Sequence, residues 1–471
     1  MWELQKYGDH TAIIDDRDVQ VTYSELYALQ QRLADLVGRR TLVVSLCRNS
    51  VGSVAGYVAF MNARIVPILL NAELEHSLLE NLLSIYLPAF LWVPEDMMSE
   101  NIFSSMDVVC REYDYVLLKT AYATEYPLHD ELGLLLTTSG STGSPKFVRQ
   151  SYTNILANAR SIVDYLELDE TERPITTLPM NYTYGLSIIN SHLLVGATLL
   201  VTDKSLMQKE FWTFFKAQEA TSFGGVPYTY EILNKLRFTR MELPSLRTMT
   251  QAGGKLTVEL HAKFASYAAE HQKRFVVMYG QCEATARMGY LPAEMAVEKC
   301  GSMGIAIPGG KFTLIDVDGS PISEAYKTGE LVYEGANVTL GYAECGADLA
   351  LGDERSGILH TGDMAQFDAD GYYYIVGRKK RFLKIYGNRV NLDELDRMIK
   401  GAYDGIDCAT AGEDDHLYIF ITQDALAKSV KSFVVEKTRL NPSAFEMVVV
   451  DEIPKNDAGK TLYKELEKYY S

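Results

Sequence analysis

Short apolar runs alternate with helix-like patterns along roughly the first 310 residues of the chain. Between the runs, apolar residues recur at helical spacing, as in the segment from Ile155 to Leu166, where Ser151 or Thr153 can cap the helix. The alternation predicts an α/β fold with largely parallel sheets flanked by helices. The runs that predict strands are Thr41–Ser45, Arg64–Leu69, Ala89–Val93, Leu132–Leu136, Thr198–Val201 and Phe275–Met278.

The pattern changes after about residue 310, where short strands are broken by Gly and Asp turns. These strands predict a small antiparallel or barrel-like section, and they lie at Phe312–Gly319, Glu330–Tyr333 and Tyr372–Val376. A basic cluster, Gly377–Lys384, then interrupts an otherwise acidic chain. Beyond it, one amphipathic helix and two short strands predict a small α+β C-terminal domain: Leu392–Ile399, His416–Thr422 and Phe445–Val450.

A domain boundary is therefore predicted at Lys380. It divides the chain into a large N-terminal domain, residues 1–379, and a small C-terminal domain, residues 380–471. A solvated charge run is the alternative interpretation of the basic cluster. The motifs on either side of the cluster favour the boundary.

Composition excludes several classes of function. The net charge of the 471 residues is −17, which argues against general nucleic-acid binding, because that requires a basic face. The six cysteines show no metal-ligand spacing, which favours reduced thiols and a cytoplasmic location. No signal peptide and no apolar stretch approaching 18 residues is found, so no membrane association is expected.

The segment Thr137–Lys146 is the most informative in the chain, and we call it the Gly-rich loop. It combines hydroxyl side chains, glycines and one lysine directly after an apolar strand. Backbone amides, hydroxyls and a cation in such a loop suit a polyphosphate. The alternative is a flexible linker with no binding role, although linkers rarely separate a strand from a helix. A Walker loop is excluded, because Lys146 follows Pro145 and precedes Phe147 rather than opening a helix.

Three further motifs are ambiguous when each is taken alone. Tyr279–Ala284 follows an apolar strand and suits nucleotide binding, with Tyr279 stacking on a purine and Glu283 holding Mg²⁺, but a structural role fits equally well. Asp363 after a tight turn can accept both ribose hydroxyls, braced by Arg378. Gly459-Lys460 near the C-terminus resembles an ordinary surface turn.

The order and spacing of these motifs resemble the adenylate-forming superfamily. This superfamily contains acyl- and aryl-CoA synthetases, the adenylation domains of nonribosomal peptide synthetases, and firefly luciferase. The resemblance covers nearly the whole chain. The matching segments, in order, are Thr22–Leu26, the Gly-rich loop, Leu178-Pro179 with Tyr184-Gly185, Ala252–Gly254, Tyr279–Glu283, Thr361–Asp363, Gly377-Arg378, Lys384 and Gly459-Lys460.

The resemblance implies a two-step reaction with ATP and Mg²⁺. A carboxylate attacks the α-phosphate of ATP and expels pyrophosphate, and the acyl-adenylate then passes its acyl group to a thiol. Lys460 is the implied catalytic residue, and Glu283 and Thr138 are the implied metal ligands. The implied ATP-binding residues are Thr138, Ser139, Gly140, Ser141, Thr142, Gly143, Lys146, Gly253, Gly254, Tyr279, Gly280, Cys282, Glu283, Asp363 and Arg378.

The resemblance also implies alternation of the two domains. Lys460 lies in the small domain, which rotates in the family after adenylation and so withdraws the lysine. Lys380 matches the hinge of the family, and Gly387 matches the glycine beside the thiol tunnel.

Some positions depart from the pattern of the family. Cys282 stands where threonine is common, which weakens one phosphate contact. Tyr182 and Tyr152 replace common histidines. Gly185 stands where α-amino-acid-activating domains place an aspartate for the substrate ammonium, which predicts an aryl or short acyl acid without an α-amine. The substrate pocket is predicted to include Tyr182, Tyr184, Gly185, Gly253 and Gly280.

The thiol acceptor must come from outside the chain, since no convincing carrier-protein serine motif is present. Either coenzyme A or the phosphopantetheine of a separate acyl carrier protein is expected. Two other functions are weighed against the acid–thiol ligase. One is a luciferase-like oxygenase and the other is a non-catalytic nucleotide-binding relative, which the retained Lys460, Glu283, Asp363 and Arg378 disfavour.

Overall fold

A computed structural model describes residues 1–104, 106–122, 126–137, 146–385, 388–403, 405–413, 415–438, 440–455 and 461–470. At residues 380, 382, 384, 388 and 389 it describes the backbone alone.

The strands of the described residues are β1 (Thr11–Asp15), β2 (Gln20–Thr22), β3 (Leu42–Cys47), β4 (Val66–Asn71), β5 (Phe90–Pro94), β6 (Asp107–Glu112), β7 (Tyr115–Lys119), β8 (Leu132–Thr137), β9 (Phe147–Ser151), β10 (Pro174–Ile175), β11 (Leu199–Val201), β12 (Ser222–Gly225), β13 (Thr248–Gln251), β14 (Arg274–Tyr279), β15 (Gly289–Tyr290), β16 (Ile305–Ala306), β17 (Gly310–Ile315), β18 (Pro321–Ile322), β19 (Gly329–Gly335), β20 (Gly341–Ala343), β21 (Ile358–Phe367), β22 (Tyr373–Arg378), β23 (Phe382–Ile385), β24 (Asn388–Asn391), β25 (Cys408–Glu413), β26 (His416–Ile421) and β27 (Phe445–Val449).

The helices of the described residues are α1 (Leu4–Tyr7), α2 (Tyr23–Val37), α3 (Val51–Asn62), α4 (His76–Tyr86), α5 (Tyr152–Leu166), α6 (Thr183–Leu194), α7 (Lys209–Ala217), α8 (Pro227–Lys235), α9 (Val258–Glu270), α10 (Leu392–Ala402), α11 (Ala427–Thr438) and α12 (Tyr463–Leu466). Ser151 caps α5 as expected, since its side chain accepts a hydrogen bond from the amide of Asn154.

The chain forms two compact units. The first comprises Met1–Phe312 and Tyr333–Leu359, and the second comprises Thr313–Val332 and His360–Ser471. The boundary at Lys380 that the sequence predicts separates two functional domains rather than two compact units, and it remains a prediction.

Two large sheets organise the first unit in its described residues. A nine-stranded sheet has the order β16-β15-β14-β13-β12-β10-β11-β1-β2, and an eight-stranded sheet has the order β20-β9-β8-β4-β3-β5-β7-β6. The central strands of each sheet pair in parallel, whereas antiparallel strands lie at the edges. The predicted α/β fold with largely parallel sheets is confirmed.

Helix α3 fills the space between these sheets. All of its residues except Asn62 are buried, and it contacts β1 of one sheet and β3, β4 and β5 of the other. A helix that is apolar on every side requires such an enclosed position. Gly56 admits the indole of Trp92, whose Nε1 donates to the Gly52 carbonyl over 2.9 Å. The small residues of α3 therefore let a buried tryptophan pack directly on the helix backbone.

The second unit contains a five-stranded sheet in its described residues, with the order β18-β17-β19-β21-β22. It corresponds to the section that the sequence predicts as antiparallel or barrel-like. The unit also contains the hairpin β23-β24 and the three-stranded sheet β25-β26-β27. Helix α10 begins after Asn391, whose side chain accepts hydrogen bonds from two amides of the first turn. Its apolar side joins the core of this unit through Leu392, Leu395 and Ile399.

Candidate active site

The carboxyl ends of three parallel strands meet at one edge of the nine-stranded sheet. In the register, Gly225 of β12 pairs with Gln251 of β13, and Gln251 pairs with Val277 of β14. Ligands of open α/β sheets bind outside such an edge. The predicted site segments Gly253-Gly254 and Tyr279–Glu283 both begin there, so the fold brings them together.

Gly280 is required by a close approach of the chain to itself. A Cβ atom at this position would lie 1.5 Å from the carbonyl oxygen of Ala286. The intervening turn closes through a hydrogen bond from the Ala286 amide to the Gln281 carbonyl, and it holds Ala286 at a φ of 102°. The glycine thus allows a tight turn, and its place in the ATP site and the acid pocket stays a prediction. Cys282 lies in this turn and is 6% exposed.

Glu283 is held at both its backbone and its side chain. Its carbonyl accepts hydrogen bonds from the Thr339 amide, the Thr339 hydroxyl and Arg355 Nη1, each over 3.0 Å. Its Oε1 accepts a hydrogen bond from the Tyr342 hydroxyl over 2.7 Å. These partners fix the backbone of Glu283 and orient its carboxylate.

Tyr342 joins the carboxylate to two cations. Lys146 Nζ lies 4.0 Å and Arg355 Cζ 4.6 Å from the centroid of its ring, both within cation–π range. Burial and the neighbouring Glu283 raise the pKa of Tyr342 to about 12, so its hydroxyl remains protonated and donates. Tyr342 therefore contacts both Lys146, the last residue of the Gly-rich loop, and the Glu283 carboxylate.

Arg149 supports this arrangement from the core. It is fully buried on β9, and it donates to the Tyr342 carbonyl over 2.8 Å and to the Gly352 carbonyl over 3.2 Å. It also binds the Leu351 carbonyl and the Glu354 carboxylate. A buried cation needs such a full set of acceptors. Arg149 consequently fixes β20, the strand that carries Tyr342.

Glu283 and the residues that hold it and Tyr342 in place form one cluster. Four of its residues were not predicted from the sequence: Arg149, Thr339, Tyr342 and Arg355. The charge of Arg149 within the apolar strand Phe147–Ser151 is a signal that could have indicated it. The others lie in a segment without a periodic pattern.

The aromatic residues of the predicted acid pocket gather at the start of α6. Tyr184 is 3% exposed, and its hydroxyl lies 2.8 Å from the Thr250 hydroxyl. The Tyr182 hydroxyl packs on Gly253, where a Cβ atom would lie 2.6 Å from it. Burial raises the pKa of Tyr182. Tyr182, Tyr184 and Gly253 are thus neighbours.

Gly185 has a packing requirement of its own. A Cβ atom there would lie 2.3 Å from the carbonyl oxygen of Pro179 and 3.1 Å from that of Leu178. An aspartate at this position would require the segment before α6 to move.

In the second unit, Asp363 and Arg378 are opposite one another on β21 and β22. Arg378 Nε lies 3.6 Å from Asp363 Oδ1, with 67% of the arginine side chain and 9% of the aspartate side chain exposed. Gly362 has a φ of 67°, and the Asp363 amide donates to the Thr361 hydroxyl over 3.0 Å. Asp363 and Arg378, which are fifteen residues apart in the sequence, are thus direct cross-strand neighbours.

Several predicted residues lie outside the described part of the chain: Thr138, Ser139, Gly140, Ser141, Thr142, Gly143, Gly387 and Lys460. The flanks of the loop are described, since Thr137 pairs with Phe147 at the end of the β8-β9 hairpin. Lys455 and Thr461 flank the lysine segment and pair with one another. The Lys380 backbone lies in the 3₁₀ turn Lys379–Arg381.

The described residues contain no cluster of three or more His, Cys, Asp or Glu side chains able to hold a metal ion. A Mg²⁺ ion that takes most of its ligands from phosphates and water needs only one or two protein carboxylates. The Glu283 carboxylate, with Oε1 bound to Tyr342, fits that requirement. Within the described ranges, every helix is too short or too polar to traverse a lipid bilayer.

The chain is similar in sequence to known CoA ligases. The chain is 28% identical over 291 residues to a feruloyl-CoA synthase from Amycolatopsis sp, a match that covers 61% of this chain and 57% of that protein. It is 24% identical to 2-succinylbenzoate–CoA ligase of Bacillus subtilis, covering 99% of this chain and 96% of that protein.

The fold is shared with a solved structure. O-succinylbenzoate coenzyme A synthetase from Bacillus subtilis, in complex with AMP, superposes with a TM-score of 0.79 at 22% identity, covering 98% of this chain and 96% of that one. The family model described as AMP-binding enzyme matches residues 2–343, which contain the Gly-rich loop, Glu283 and Tyr342. The chain belongs to the AMP-binding enzyme family.

Proposed function

We propose that the protein is an AMP-forming acid–thiol ligase. It converts a carboxylic acid and ATP to an acyl-adenylate and pyrophosphate, and then transfers the acyl group to a thiol with release of AMP. The observation that carries this proposal is the Glu283 carboxylate at the carboxyl edge of a parallel sheet, oriented by Tyr342, whose ring also contacts Lys146. A fixed carboxylate and a nearby lysine are the groups that a magnesium-bound triphosphate requires.

The proposed roles follow from these positions. Glu283 and Thr138 hold Mg²⁺, and Lys146 holds the departing phosphates together with Ser139, Gly140, Ser141, Thr142 and Gly143. Bound Mg²⁺ neutralises negative charge on the phosphate oxygens. The residues assigned to adenosine are Gly253, Gly254, Tyr279, Gly280, Cys282, Asp363 and Arg378, with the last pair at the ribose.

Lys460 is the proposed catalytic residue. The first step brings a carboxylate against an α-phosphate, so two anions must meet and the barrier is largely electrostatic. A lysine ammonium between them stabilises the transition state, and removal of such a donor costs about 10²- to 10³-fold in rate.

Coenzyme A is the proposed thiol acceptor. The feruloyl-CoA synthase and the 2-succinylbenzoate–CoA ligase both act with CoA by name. The phosphopantetheine of a separate acyl carrier protein is the second candidate, since it presents the same thiol. In either case Gly387 is assigned to the thiol tunnel and Lys380 to the hinge.

The acid is proposed to be an aryl or acyl acid without an α-amine. An α-ammonium buried in the pocket would need an anionic partner. Gly185 supplies none, and the Pro179 carbonyl occupies the space into which a side chain at this position would extend.

The first test is ATP–pyrophosphate exchange with a panel of aryl, acyl and α-amino acids. We expect exchange with an acid of the first two kinds, and a loss of about 10²- to 10³-fold for Lys460→Ala. Lys464→Ala is the matched control, because Lys464 is an exposed lysine of the same segment. ATP binding without exchange for any acid would instead identify a non-catalytic nucleotide-binding protein. A clear preference for α-amino acids would overturn the assignment of the acid.

The second test identifies the acceptor. The acyl-adenylate formed with the best acid is offered CoA or a phosphopantetheinylated carrier protein, and AMP release is measured. Faster AMP release with CoA supports the ligase as proposed. If only the carrier protein accelerates AMP release, the carrier protein and not CoA is the acceptor.

A further inference from the structure

Three arginines are buried within the described residues, and they differ in their partners. Arg149, Arg287 and Arg381 are 0%, 2% and 8% exposed. Arg149 forms an ion pair with the Glu354 carboxylate. Arg381 forms ion pairs with the Asp393 and Asp396 carboxylates, both over 2.8 Å. The fold therefore supplies a carboxylate to two of its buried guanidinium groups.

Arg287 has only neutral partners. Its Nε donates to the Ser187 hydroxyl over 3.1 Å, and its Nη1 donates to the Tyr165 hydroxyl over 3.0 Å. Met278 Sδ lies 2.8 Å from Nη1, and the Tyr184 ring centroid lies 5.0 Å from Cζ. Among the described residues no carboxylate forms an ion pair with this guanidinium. A buried charge without a counter-charge is costly, so its retention requires a reason.

The titratable neighbours of Arg287 do not supply that negative charge. Burial raises the pKa of Tyr165, and it raises that of Tyr184 to about 12 although the arginine opposes the shift. Burial, with a smaller contribution from Arg287, lowers the pKa of His192 to about 4. Near neutral pH these groups are therefore uncharged, and the cluster carries the single positive charge of Arg287.

Arg287 adjoins the proposed acid pocket. Two of its contacts, Tyr184 and Ser187, are on α6 beside Tyr182, and Met278 is on β14 just before Tyr279. In the described residues the guanidinium has no contact with Glu283, Tyr342 or Lys146, so it is separate from the proposed phosphate groups. Its backbone is fixed, because the Arg287 carbonyl accepts hydrogen bonds from the side chains of Asn158 and Asn337 over 2.8 and 3.0 Å.

We infer that Arg287 binds a second carboxylate of the acid substrate, so that the enzyme activates dicarboxylic acids. The inference rests on the proposed function. One carboxylate reacts with ATP and the other, at the far end of the molecule, pairs with the guanidinium that the fold leaves without a counter-charge. Arginine suits this role, because its planar donors match a carboxylate.

The experiment uses matched pairs of acids that differ only at the far end. Benzenedicarboxylic acids are compared with the isopropylbenzoic acids of the same substitution pattern, and linear α,ω-dicarboxylic acids with fatty acids of the same length. In ATP–pyrophosphate exchange we expect kcat/KM to be about 10- to 100-fold higher for the dicarboxylate of the best pair. A preference for the monocarboxylic member of every pair would overturn the inference while leaving the ligase intact.

The variant Arg287→Gln then tests the residue. We expect it to remove the preference for the dicarboxylate while exchange with the monocarboxylic partner is retained. Arg287→Lys keeps the charge and should retain part of the preference, and it serves if the glutamine variant does not fold. Arg32→Gln, at an exposed ion pair, is the control. An equal loss with both acids in the folded variants would identify a structural role and contradict the inference. No exchange with any acid would overturn the proposed function and the inference with it.

Discussion

The hydroxyl of Tyr342 donates a hydrogen bond to the Glu283 carboxylate over 2.7 Å, across 59 residues of sequence. The ring of the same tyrosine lies under Lys146 at 4.0 Å. One side chain thereby sets the positions of an anion and of a cation that are both assigned to the nucleotide.

Tyr342→Phe is expected to weaken the use of MgATP while the ring remains in place. Loss of a side chain that orients a metal ligand typically costs about 10- to 100-fold in metal affinity or activity. The measurement is the Mg²⁺ concentration that gives half-maximal pyrophosphate exchange, which should rise. Tyr122→Phe, at a tyrosine that is 39% exposed, is the control. An unchanged Mg²⁺ dependence would show that the hydrogen bond does not position the metal.

Asp363→Ala is expected to raise the KM for ATP by about 10- to 100-fold, because hydrogen bonds from ribose hydroxyls to a charged acceptor are lost. The wild type should use ATP better than 2′-deoxyATP, and the variant should discriminate less between the two. Asp424→Ala, at an exposed aspartate of the same unit, should leave both KM values unchanged. Full retention of the discrimination in the Asp363 variant would exclude a contact with the ribose.

Gly280→Ala is expected to lower the free energy of unfolding by about 3 kcal/mol or more, since the added methyl group would collide with the Ala286 carbonyl. Gly401→Ala is the control. Gly401 lies in α10 with nothing within 4 Å of an added Cβ, so this change should stabilise the helix by about 1 kcal/mol or less. Urea unfolding measures both, and equal stability of the Gly280 variant and the wild type would contradict the described turn.

Asp396 is expected to make the stability of the protein depend on pH. It is 8% exposed, and burial raises its pKa from 3.8 to about 6, although Arg381 opposes the shift. A carboxyl group whose pKa is higher in the folded state contributes stability that is fully present below about pH 4 and is lost as the pH rises through about 6. Relative to Asp396→Asn, the wild type should lose stability between these values. Urea unfolding at several pH values tests this, and parallel curves for the two proteins would contradict it.

Much of the fold could be predicted from the sequence, because it depends on local patterns. The apolar run Leu132–Leu136 predicted the strand found at Leu132–Thr137, and the amphipathic segment Leu392–Ile399 predicted the helix found at Leu392–Ala402. Buried parallel strands are apolar without interruption, and amphipathic helices have their own period, so both leave a clear signal.

The site was only partly predictable. Residues within compact motifs, such as Glu283 and Asp363, were named. Tyr342 was not, since it reaches the site through the pairing of β20 with β9, a register that no local pattern encodes. Arg355 was not named either, since it lies in a segment without a periodic pattern. Gly280 was named as an ATP-binding and pocket residue, which stays a prediction, and the structure adds a local reason for the glycine, the close approach of the Ala286 carbonyl. A glycine admits a ligand or another part of the chain equally well, and the sequence does not distinguish the two.

The second compact unit is assembled from two separate stretches of chain, and this limits how members of the family can be recombined. The five-stranded sheet consists of strands that all end at or before Arg378. A hybrid joined at Lys380 would therefore inherit the whole sheet from one parent. A hybrid joined at His360 would take β17, β18 and β19 from one parent and nearly all of β21, with β22, from the other. Of these two junctions, the one at Lys380 keeps the sheet intact, even though it does not coincide with the border of the compact unit.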